Sequence, residues 1–253
     1  MERRPVKTAL VTGAASRLGE RIAHFLADRD YSIILHANRS ADKARLLARS
    51  LAGKGVESHV VVADFADQIA VAHFCGELTA RFGAPDVIVN NASVFEHDFP
   101  GRADPEKLAI SLSVHVLAPF SIIEAAARTK KPDARISVFN ILDHKLLNLN
   151  PDYYSYTLGK SALMALTEMW RRAERPDVRV FGLLPGLMFP SGPQTDERFL
   201  SDSAKIPTGR ATPPEQICAA IGFYLDHPDM PAQMLPIDGG EHLLPRRRDV
   251  AFE

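Results

Sequence analysis

The chain has 253 residues, and its 30 lysine and arginine residues almost balance its 31 aspartate and glutamate residues. This balance argues against binding to nucleic acid or to a membrane surface, so we expect a small-molecule partner. Cys75 and Cys218 are too few for a disulfide framework and lack the spacing of a zinc site, so we expect no metal and a cytoplasmic location. No segment approaches the roughly 20 apolar residues of a membrane span, which predicts a soluble protein.

Strand-like and helical patterns alternate along the whole chain. Short apolar runs predict the strands, and apolar residues at helical spacing predict the helices. The predicted strands are Val6–Val11, Tyr31–His36, His59–Ala63, Val87–Val89, Ile136–Phe139, Val178–Leu184 and Met234–Ile237. The predicted helices are Leu18–Ala27, Ala41–Leu51, Ile69–Phe82, Leu108–Ala127, Tyr156–Arg172 and Glu215–Leu225. This order predicts a single doubly wound α/β domain of the Rossmann type over residues 1–253, with helices on both faces of a mainly parallel, roughly seven-stranded sheet.

The longest irregular stretch runs from Gly186 to Pro214 and is rich in proline, serine, threonine and glycine. It is too long for an ordinary connection between a strand and a helix. We therefore predict a loop that covers the substrate, with simple disorder as the alternative.

The segment from Thr12 to Gly19 lies between the first predicted strand and the first predicted helix. Backbone N–H groups at a helix N-terminus bind pyrophosphate, and glycines permit the close approach. The segment therefore predicts a dinucleotide site, with a tight structural turn as the alternative.

The residues after the second strand distinguish the two nicotinamide nucleotides. An NAD site usually has an Asp or Glu there that binds the ribose 2′-hydroxyl, whereas the segment from His36 to Ser40 contains no carboxylate. Arg39 and Ser40 suit a 2′-phosphate, and Arg17 in the glycine turn adds a second positive charge. We therefore predict NADPH/NADP as the cofactor. The alternative for Arg39 is an ordinary solvated loop residue.

Tyr156 and Lys160 stand four positions apart on a predicted helix, so their side chains share one face. A nearby ammonium favours the phenolate and lowers the pKa of a tyrosine, which helps the phenol to act as a general acid near neutral pH. The pair predicts a catalytic centre. The alternative is a chance spacing in which the tyrosine packs and the lysine is solvated.

The chain resembles the short-chain dehydrogenase/reductase family in motifs spread over its whole length. These are the glycine turn, Asp64 after the third strand, Asn90-Asn91-Ala92 after the fourth, Tyr156 with Lys160, and Pro185-Gly186 after the sixth. The resemblance implies an oxidoreductase. It also implies cofactor contacts from Gly13, Arg17, Leu18, Gly19, His36, Asn38, Arg39, Ser40, Asp64, Phe65, Asn90, Ala92, Ser93, Tyr156, Lys160, Pro185 and Gly186.

One departure from the family pattern concerns the substrate. Asp143 stands 13 residues before Tyr156, where most members have a serine. A serine hydrogen-bonds a carbonyl substrate, whereas an aspartate paired with a tyrosine can relay a proton to a ring nitrogen and bind N–H donors. In this respect the chain resembles the pteridine reductases and the bacterial dihydromonapterin or alternative dihydrofolate reductases. The alternative for Asp143 is a turn residue that caps local backbone.

The same resemblance implies that Phe95 stacks a pterin ring against the nicotinamide. The alternative for Phe95 is a core aromatic at a strand end. His115 takes the place of an asparagine that is catalytic in most members, and its role stays open between a structural histidine and a proton relay. The implied catalytic residues are Asp143, Tyr156 and Lys160, and the implied substrate contacts are Ser93, Phe95, Asp143, Tyr156 and Leu187.

These features predict the NADPH-dependent reduction of a C=N bond in a pterin or dihydrofolate. The alternatives are a carbonyl reductase that acts on a ketone, sugar or acyl thioester, and a non-catalytic NADP-binding sensor. The family also implies a homotetramer that forms through the helices near Leu108–Ala127 and Tyr156–Arg172. We read the cluster Arg246-Arg247-Arg248 as solvated charge, with a chain end that reaches a neighbour's active site as the alternative.

Overall fold

One parallel sheet runs through the chain. The computed structural model describes residues 7–190 and 194–252. The sheet has the strand order β3-β2-β1-β4-β5-β6-β7. The strands are β1 (Lys7–Val11), β2 (Tyr31–Ala37), β3 (Ser58–Val62), β4 (Val87–Asn90), β5 (Ile136–Ile141), β6 (Val178–Pro185) and β7 (Met234–Ile237). The predicted architecture is confirmed, and Val6 of the predicted first strand lies outside the described residues.

Helices connect successive strands, in the order that the alternating pattern predicts. Two of them begin with an aspartate N-cap, because the Asp67 and Asp104 side chains accept hydrogen bonds from backbone N–H groups of the first turn. The helices are α1 (Arg17–Ala27), α2 (Ala41–Ala52), α3 (Gln68–Phe82), α4 (Pro105–Leu112), α5 (Ala118–Thr129), α6 (Tyr154–Arg171), α7 (Asp196–Ser203) and α8 (Pro214–Asp226).

Helix α7 lies within the stretch from Gly186 to Pro214, so the prediction of an irregular loop is wrong for these residues. The Thr195 side chain caps the helix by accepting a hydrogen bond from the Arg198 N–H over 3.2 Å. The stretch has few apolar residues at helical spacing, which is why its sequence does not reveal the helix. Residues 191–193 of the stretch lie outside the described part of the chain.

Apolar side chains of the central strands cover both faces of the sheet. Leu10 and Ile34 pack on the side of α3, α5 and α6, whereas Val11 and Ile33 pack on the side of α1, α2 and α8. A parallel sheet with helices on both faces requires such continuous apolar strands. The strand sequences thus account for a core on each side of the sheet.

Helices α4 and α5 are joined by a π-helical turn at Ser113–Leu117, so that Pro105–Thr129 forms one helical segment of 25 residues. An 18-residue window in it has a mean hydropathy of 1.7, which corrects the expectation that no segment is long and apolar enough to cross a membrane. In the fold, α4 contacts α6 and α5 contacts α3. Ile122 and Ile123 are fully buried, so we assign the segment to the core.

The chain order reverses between β1 and β4. Strand β2 pairs with β1 on one side, and β4 pairs with it on the other. Ligands of doubly wound sheets bind beyond the carboxyl ends of the strands at such a reversal. The segments that follow β1, β4, β5 and β6 therefore define the place to look for a site.

Candidate active site

Two glycines shape the turn after β1. Gly13 has a φ of +62°, a conformation that favours glycine. A Cβ on Gly19 would lie 2.2 Å from the Gly13 carbonyl oxygen, so a larger residue cannot fit without moving the backbone. Asn91 Nδ2 donates to the carbonyl oxygens of Thr12 and Gly13 over 2.9 and 3.2 Å. The turn is therefore held against the segment that follows β4.

His36 supports this turn from within the fold. Its Nδ1 accepts a hydrogen bond from the Gly13 N–H over 3.2 Å, and its Nε2 lies 3.1 Å from the Ala63 carbonyl oxygen, to which it donates. Its ring stacks on Phe65 with the centroids 3.8 Å apart. Burial lowers the pKa of His36 to about 4, which keeps the ring neutral. The structure thus gives His36 and Phe65, both predicted as cofactor residues, supporting positions beneath the turn.

The glycine turn fits a dinucleotide phosphate. The side chain of Ser16, the N-cap of α1, makes no capping hydrogen bond, so the first N–H groups of the helix are available to an anion. Arg17 is exposed beside the turn, and Arg39 is exposed after β2. No carboxylate lies between Ala37 and Ser40. These side chains suit a nucleotide that carries a 2′-phosphate.

Three predicted catalytic side chains meet at the carboxyl end of β5. Tyr156 Oη donates a hydrogen bond to Asp143 Oδ2 over 2.7 Å. Lys160 Nζ donates to the Ile141 carbonyl oxygen over 2.6 Å and lies 5.8 Å from the centre of the Tyr156 ring. Tyr156 and Lys160 are both buried. Asp143 therefore contacts Tyr156 directly, as the relay hypothesis requires.

Burial and the neighbouring carboxylate keep the Tyr156 phenol protonated. Burial, and then the Asp143 carboxylate, raise the pKa of Tyr156 well above its usual value. This direction is opposite to the lowering expected from Lys160, so that expectation is wrong for the structure described. Burial lowers the pKa of Lys160 to about 8, with the Asp143 carboxylate acting in the other direction. The arrangement thus holds a protonated phenol against a carboxylate, with a lysine beside them.

Asp143 also caps local backbone. Its Oδ1 accepts a hydrogen bond from the Lys145 N–H over 2.9 Å at the start of a short 3₁₀ helix, His144–Leu147. The capping alternative is therefore correct for one carboxylate oxygen, while the other contacts Tyr156. Two fixed hydrogen bonds orient the carboxylate, so it cannot turn away from the phenol without losing one of them.

His115, in the π-helical turn Ser113–Leu117, connects this turn to the segment after β4. Ser111 Oγ donates to the Ser155 carbonyl oxygen and lies 3.1 Å from His115 Nδ1, so it accepts the Nδ1 proton. His115 Nε2 then accepts from the Ser93 hydroxyl at 2.9 Å. Burial, followed by the Lys160 ammonium, lowers the pKa of His115 well below its usual value. A neutral histidine with both nitrogens occupied favours the structural alternative.

A cavity of about 480 Å³ opens beside the Asp143–Tyr156 pair. Phe95 lines it and is 44% exposed, which rules out the core alternative for this ring. The ring stacks on Tyr153 at 4.0 Å and meets Tyr156 edge-on at 4.7 Å. The other predicted residues that line the cavity are Gly13, Arg17, Leu18, Ala92, Ser93, Asp143, Tyr156, Lys160, Pro185, Gly186 and Leu187.

The remaining predicted cofactor residues do not line this cavity. Asn90 is buried and donates to Asn140 Oδ1 over 2.8 Å. Asp64 accepts a hydrogen bond from the Ala66 N–H over 2.9 Å. Asn38 and Arg39 are exposed, and Ser40 is half-buried. Gly19, His36 and Phe65 lie beneath or within the glycine turn.

Several residues that line the cavity have no recognisable signal in the sequence. Tyr153 adopts a left-handed backbone with a φ of 53°, which places its ring on Phe95. Lys145 is buried, and burial lowers its pKa. Other lining residues come from the segment after β6 and from the C-terminal end, namely Met188, Phe189, Gln194, Asp249 and Val250. The stretch after Gly186 was predicted to cover the substrate, whereas a role for the C-terminal end was given only as the alternative that it reaches a neighbour's active site; here Asp249 and Val250 line the cavity of their own chain.

The C-terminal arginine cluster is not simply solvated. Arg248 Nη2 and Nε donate to the two oxygens of Asp152 over 2.7 and 2.8 Å. The Asp152 carboxylate is fully buried, and although burial raises its pKa, hydrogen bonds from Arg248 and Asp249 lower it to about 2. The preferred interpretation of the cluster as solvated charge is therefore incomplete for Arg248, whose side chain is exposed but also ion-paired.

Comparison with known proteins identifies the family. The family model described as short chain dehydrogenase matches residues 7–196. The chain belongs to the short-chain dehydrogenase family. It is similar to two solved structures of FolM alternative dihydrofolate reductase 1 in complex with NADP. The one from Brucella canis has a TM-score of 0.89 and 32% identity, with 96% of this chain and 97% of that chain covered. The one from Brucella suis also has a TM-score of 0.89 and 32% identity, with 94% and 96% covered.

Curated relatives point to two kinds of reductase. Pteridine reductase 1 of Leishmania tarentolae is 30% identical over 219 residues, which cover 71% of this chain and 75% of the relative. A 3-oxoacyl-[acyl-carrier-protein] reductase FabG of Staphylococcus aureus is 26% identical over 247 residues, which cover 94% and 98%. The family model and these reductases confirm the predicted family and the oxidoreductase class. The predicted cofactor is confirmed because both solved structures are complexes with NADP.

Proposed function

We propose that this short-chain reductase uses NADPH to reduce a C=N bond in a pterin or dihydrofolate. The observation that carries the proposal is the 2.7 Å hydrogen bond between Tyr156 Oη and Asp143 Oδ2. A carboxylate beside the proton-donating phenol suits a substrate with ring N–H groups, because a carboxylate only accepts hydrogen bonds. A neutral ketone has no N–H group to offer this carboxylate.

In the proposed reaction, bound NADPH supplies a hydride to the C=N carbon. A proton reaches the adjacent nitrogen from Tyr156 or through Asp143, so that the double bond becomes CH–NH. Lys160 is buried and donates to the Ile141 carbonyl oxygen. Its positive charge lies close to the Tyr156–Asp143 pair and stabilises the negative charge left there after the proton has passed to the substrate. Phe95 holds the flat ring by stacking and helps to exclude water.

The experiment that tests the proposal compares substrates. Purified protein and NADPH are incubated with dihydrobiopterin, dihydromonapterin, dihydrofolate and simple ketones, and NADPH oxidation is followed by absorbance. We expect turnover of at least one of the dihydropterin or dihydrofolate substrates, and its loss in Tyr156→Phe, which removes only the phenolic oxygen. Reduction of ketones alone would overturn the proposal.

A second candidate is a carbonyl reductase that acts on an acyl thioester, ketone or sugar. The similarity to a 3-oxoacyl-[acyl-carrier-protein] reductase over 94% of the chain favours it. Asp143 argues against it, because serine is the residue that hydrogen-bonds a carbonyl substrate in most members of the family. The sensor alternative predicts NADPH binding without turnover of any substrate in the panel.

We also propose that the protein is a cytoplasmic homotetramer. Leu117 and Phe120 on the Ser113–Thr129 segment are 43% and 49% exposed, and Leu158 on α6 is 37% exposed. Apolar side chains on these two helices suit an interface between copies of the chain. The molar mass in solution, measured by light scattering, tests this, and a monomer would contradict it.

A further inference from the structure

The C-terminal segment Arg248–Phe252 forms part of the wall of the candidate active site. Asp249 and Val250 line the same cavity as Asp143, Tyr156 and Phe95. Val250 is buried, and a short 3₁₀ helix begins at this residue. The cavity is therefore closed on one side by residues that stand about a hundred positions after the catalytic ones in the sequence.

An ion pair between the exposed Arg248 side chain and the buried Asp152 carboxylate holds this segment in place. Asp152 accepts two hydrogen bonds from the Arg248 guanidinium and a third from the Asp249 N–H over 2.8 Å. The Asp152 carboxylate is inaccessible to solvent, and a bidentate pair to such a group has a defined geometry. The Phe252 ring then lies 4.8 Å from His97 and 6.0 Å from Tyr153. The segment is thus fixed at both of its ends.

The ion pair also connects the segment to the substrate-stacking rings. Asp152 directly precedes Tyr153, whose backbone is held in the left-handed region and whose ring stacks on Phe95. A non-glycine residue in that region persists only where its surroundings enforce it. The Arg248–Asp152 pair therefore joins the tail to the residue that directly precedes the Tyr153–Phe95 stack.

Asp249 brings a second carboxylate to the cavity. Its charge acts on several groups around the cavity, since it contributes to the raised pKa of Tyr156 and opposes the lowering of the pKa of Lys145 by burial. Asp143 accepts hydrogen bonds from Tyr156 and from the Lys145 N–H at the carboxyl end of β5. Asp249 places further acceptor oxygens on the wall that the C-terminal segment forms, because each carboxylate oxygen has two lone pairs.

We propose that Asp249, positioned by the Arg248–Asp152 ion pair, is a substrate-recognition residue that accepts hydrogen bonds from the amino and ring N–H groups of a nitrogen heterocycle. The inference rests on the proposed function for the identity of this ring. Asp249 selects substrates with N–H donors, because a carboxylate has no proton to offer a carbonyl oxygen. Arg248 is a positioning residue that acts through Asp152.

The test compares three single variants of the full-length enzyme. Asp249→Asn removes the charge with little change in size, Arg248→Ala removes the ion pair, and Arg247→Ala is the matched control on an adjacent exposed side chain. We expect the first two to raise the KM for the dihydropterin about tenfold or more with little change in kcat, the scale of hydrogen bonds to charged groups. We expect the Kd for NADPH of all three variants to stay within about twofold of that of the unmodified enzyme. The KM of Arg247→Ala for the dihydropterin should also stay within about twofold, well below the effect expected from the loss of a hydrogen bond to a charged group.

Calorimetry of dihydropterin binding to the NADP complex of each variant compares their substrate affinities in the absence of turnover. An unchanged KM and Kd in Asp249→Asn overturns the inference, and this variant remains informative if Arg248→Ala does not fold. A failure of the proposed function would give a different result: the unmodified enzyme would neither reduce nor bind any dihydropterin. That result removes the recognition role as well, whereas an active enzyme with insensitive variants removes only this inference.

Discussion

Replacing Asp143 with asparagine separates the chemistry of this residue from its structural contribution. The amide oxygen of Asn can still accept the hydrogen bond from the Lys145 N–H, which is 2.9 Å long in the structure, so the 3₁₀ helix keeps its cap. The carboxylate that accepts the Tyr156 hydroxyl proton is lost. The substitution therefore removes a group that can take up and release a proton, with almost no change in the shape of the site.

The structure sets the expected size of the effect. The Asp143 carboxylate contacts the phenol, the local backbone and the neighbouring His144 side chain, and none of these belongs to the glycine turn, so its loss acts on proton transfer and leaves that turn intact. General acid–base catalysis contributes about 10²–10⁴-fold, and we expect kcat for a dihydropterin to fall by this factor. That loss corresponds to about 3–5 kcal/mol of transition-state stabilisation. Asp143→Ser should show the same loss, since a serine also supplies no carboxylate.

Three measurements check this prediction. Steady-state NADPH oxidation gives kcat, fluorescence titration gives the Kd for NADPH, and thermal unfolding gives the stability of the fold. We expect a large loss in kcat with a nearly unchanged Kd and melting temperature. A kcat for Asp143→Asn that stays close to that of the unmodified enzyme would refute the reasoning, because proton delivery would then not depend on the carboxylate.

The remaining predictions concern the phenol, the lysine and the cofactor site. Tyr156→Phe should reduce kcat by about 10²-fold or more with the Kd for NADPH preserved, and near-normal turnover would remove Tyr156 from the mechanism. Since the pKa of Lys160 is lowered to about 8, its ammonium is lost as the pH rises through that value, so kcat/KM should decline above about pH 8, and a flat profile up to pH 10 would contradict the assignment. Arg39→Ala should weaken NADPH binding about tenfold or more and leave NADH binding unchanged, and equal effects on both nucleotides would exclude a contact with the 2′-phosphate. Gly19→Ala should abolish NADPH binding or lower the melting temperature, because its Cβ would lie 2.2 Å from a carbonyl oxygen, and a variant with normal stability and binding would contradict the steric argument.

The sequence predicted the place of the glycine turn and the shared helical face of Tyr156 and Lys160, because both depend on local spacing. The glycine turn needs only a strand before it and a helix after it, and Tyr156 and Lys160 share a face because a helix repeats every 3.6 residues. The direction of the Tyr156 pKa was not predictable in the same way. It depends on burial and on Asp143, and the spacing of Tyr156 and Lys160 contains information about neither.

For residues with two possible roles, the surrounding structure decided which role applies. Phe95 follows a buried strand and could have been a core residue, yet 44% of it is exposed in the cavity. His36 stands in the cofactor segment, but its two ring nitrogens bind the backbone at Gly13 and Ala63. In each case the residue type and position are compatible with both roles. Only the positions of the neighbouring elements distinguish them.

By itself, the sequence determined the order of strands and helices, the glycine turn, the spacing of Tyr156 and Lys160, and the presence of Asp143 where a serine is usual. Only the tertiary structure decided that Asp143 contacts the phenol, that α7 interrupts the long loop, and that Arg248 pairs with Asp152, 96 positions earlier in the chain. The physical reason is that local periodicity follows from backbone geometry, whereas contacts between distant segments follow from how whole elements pack.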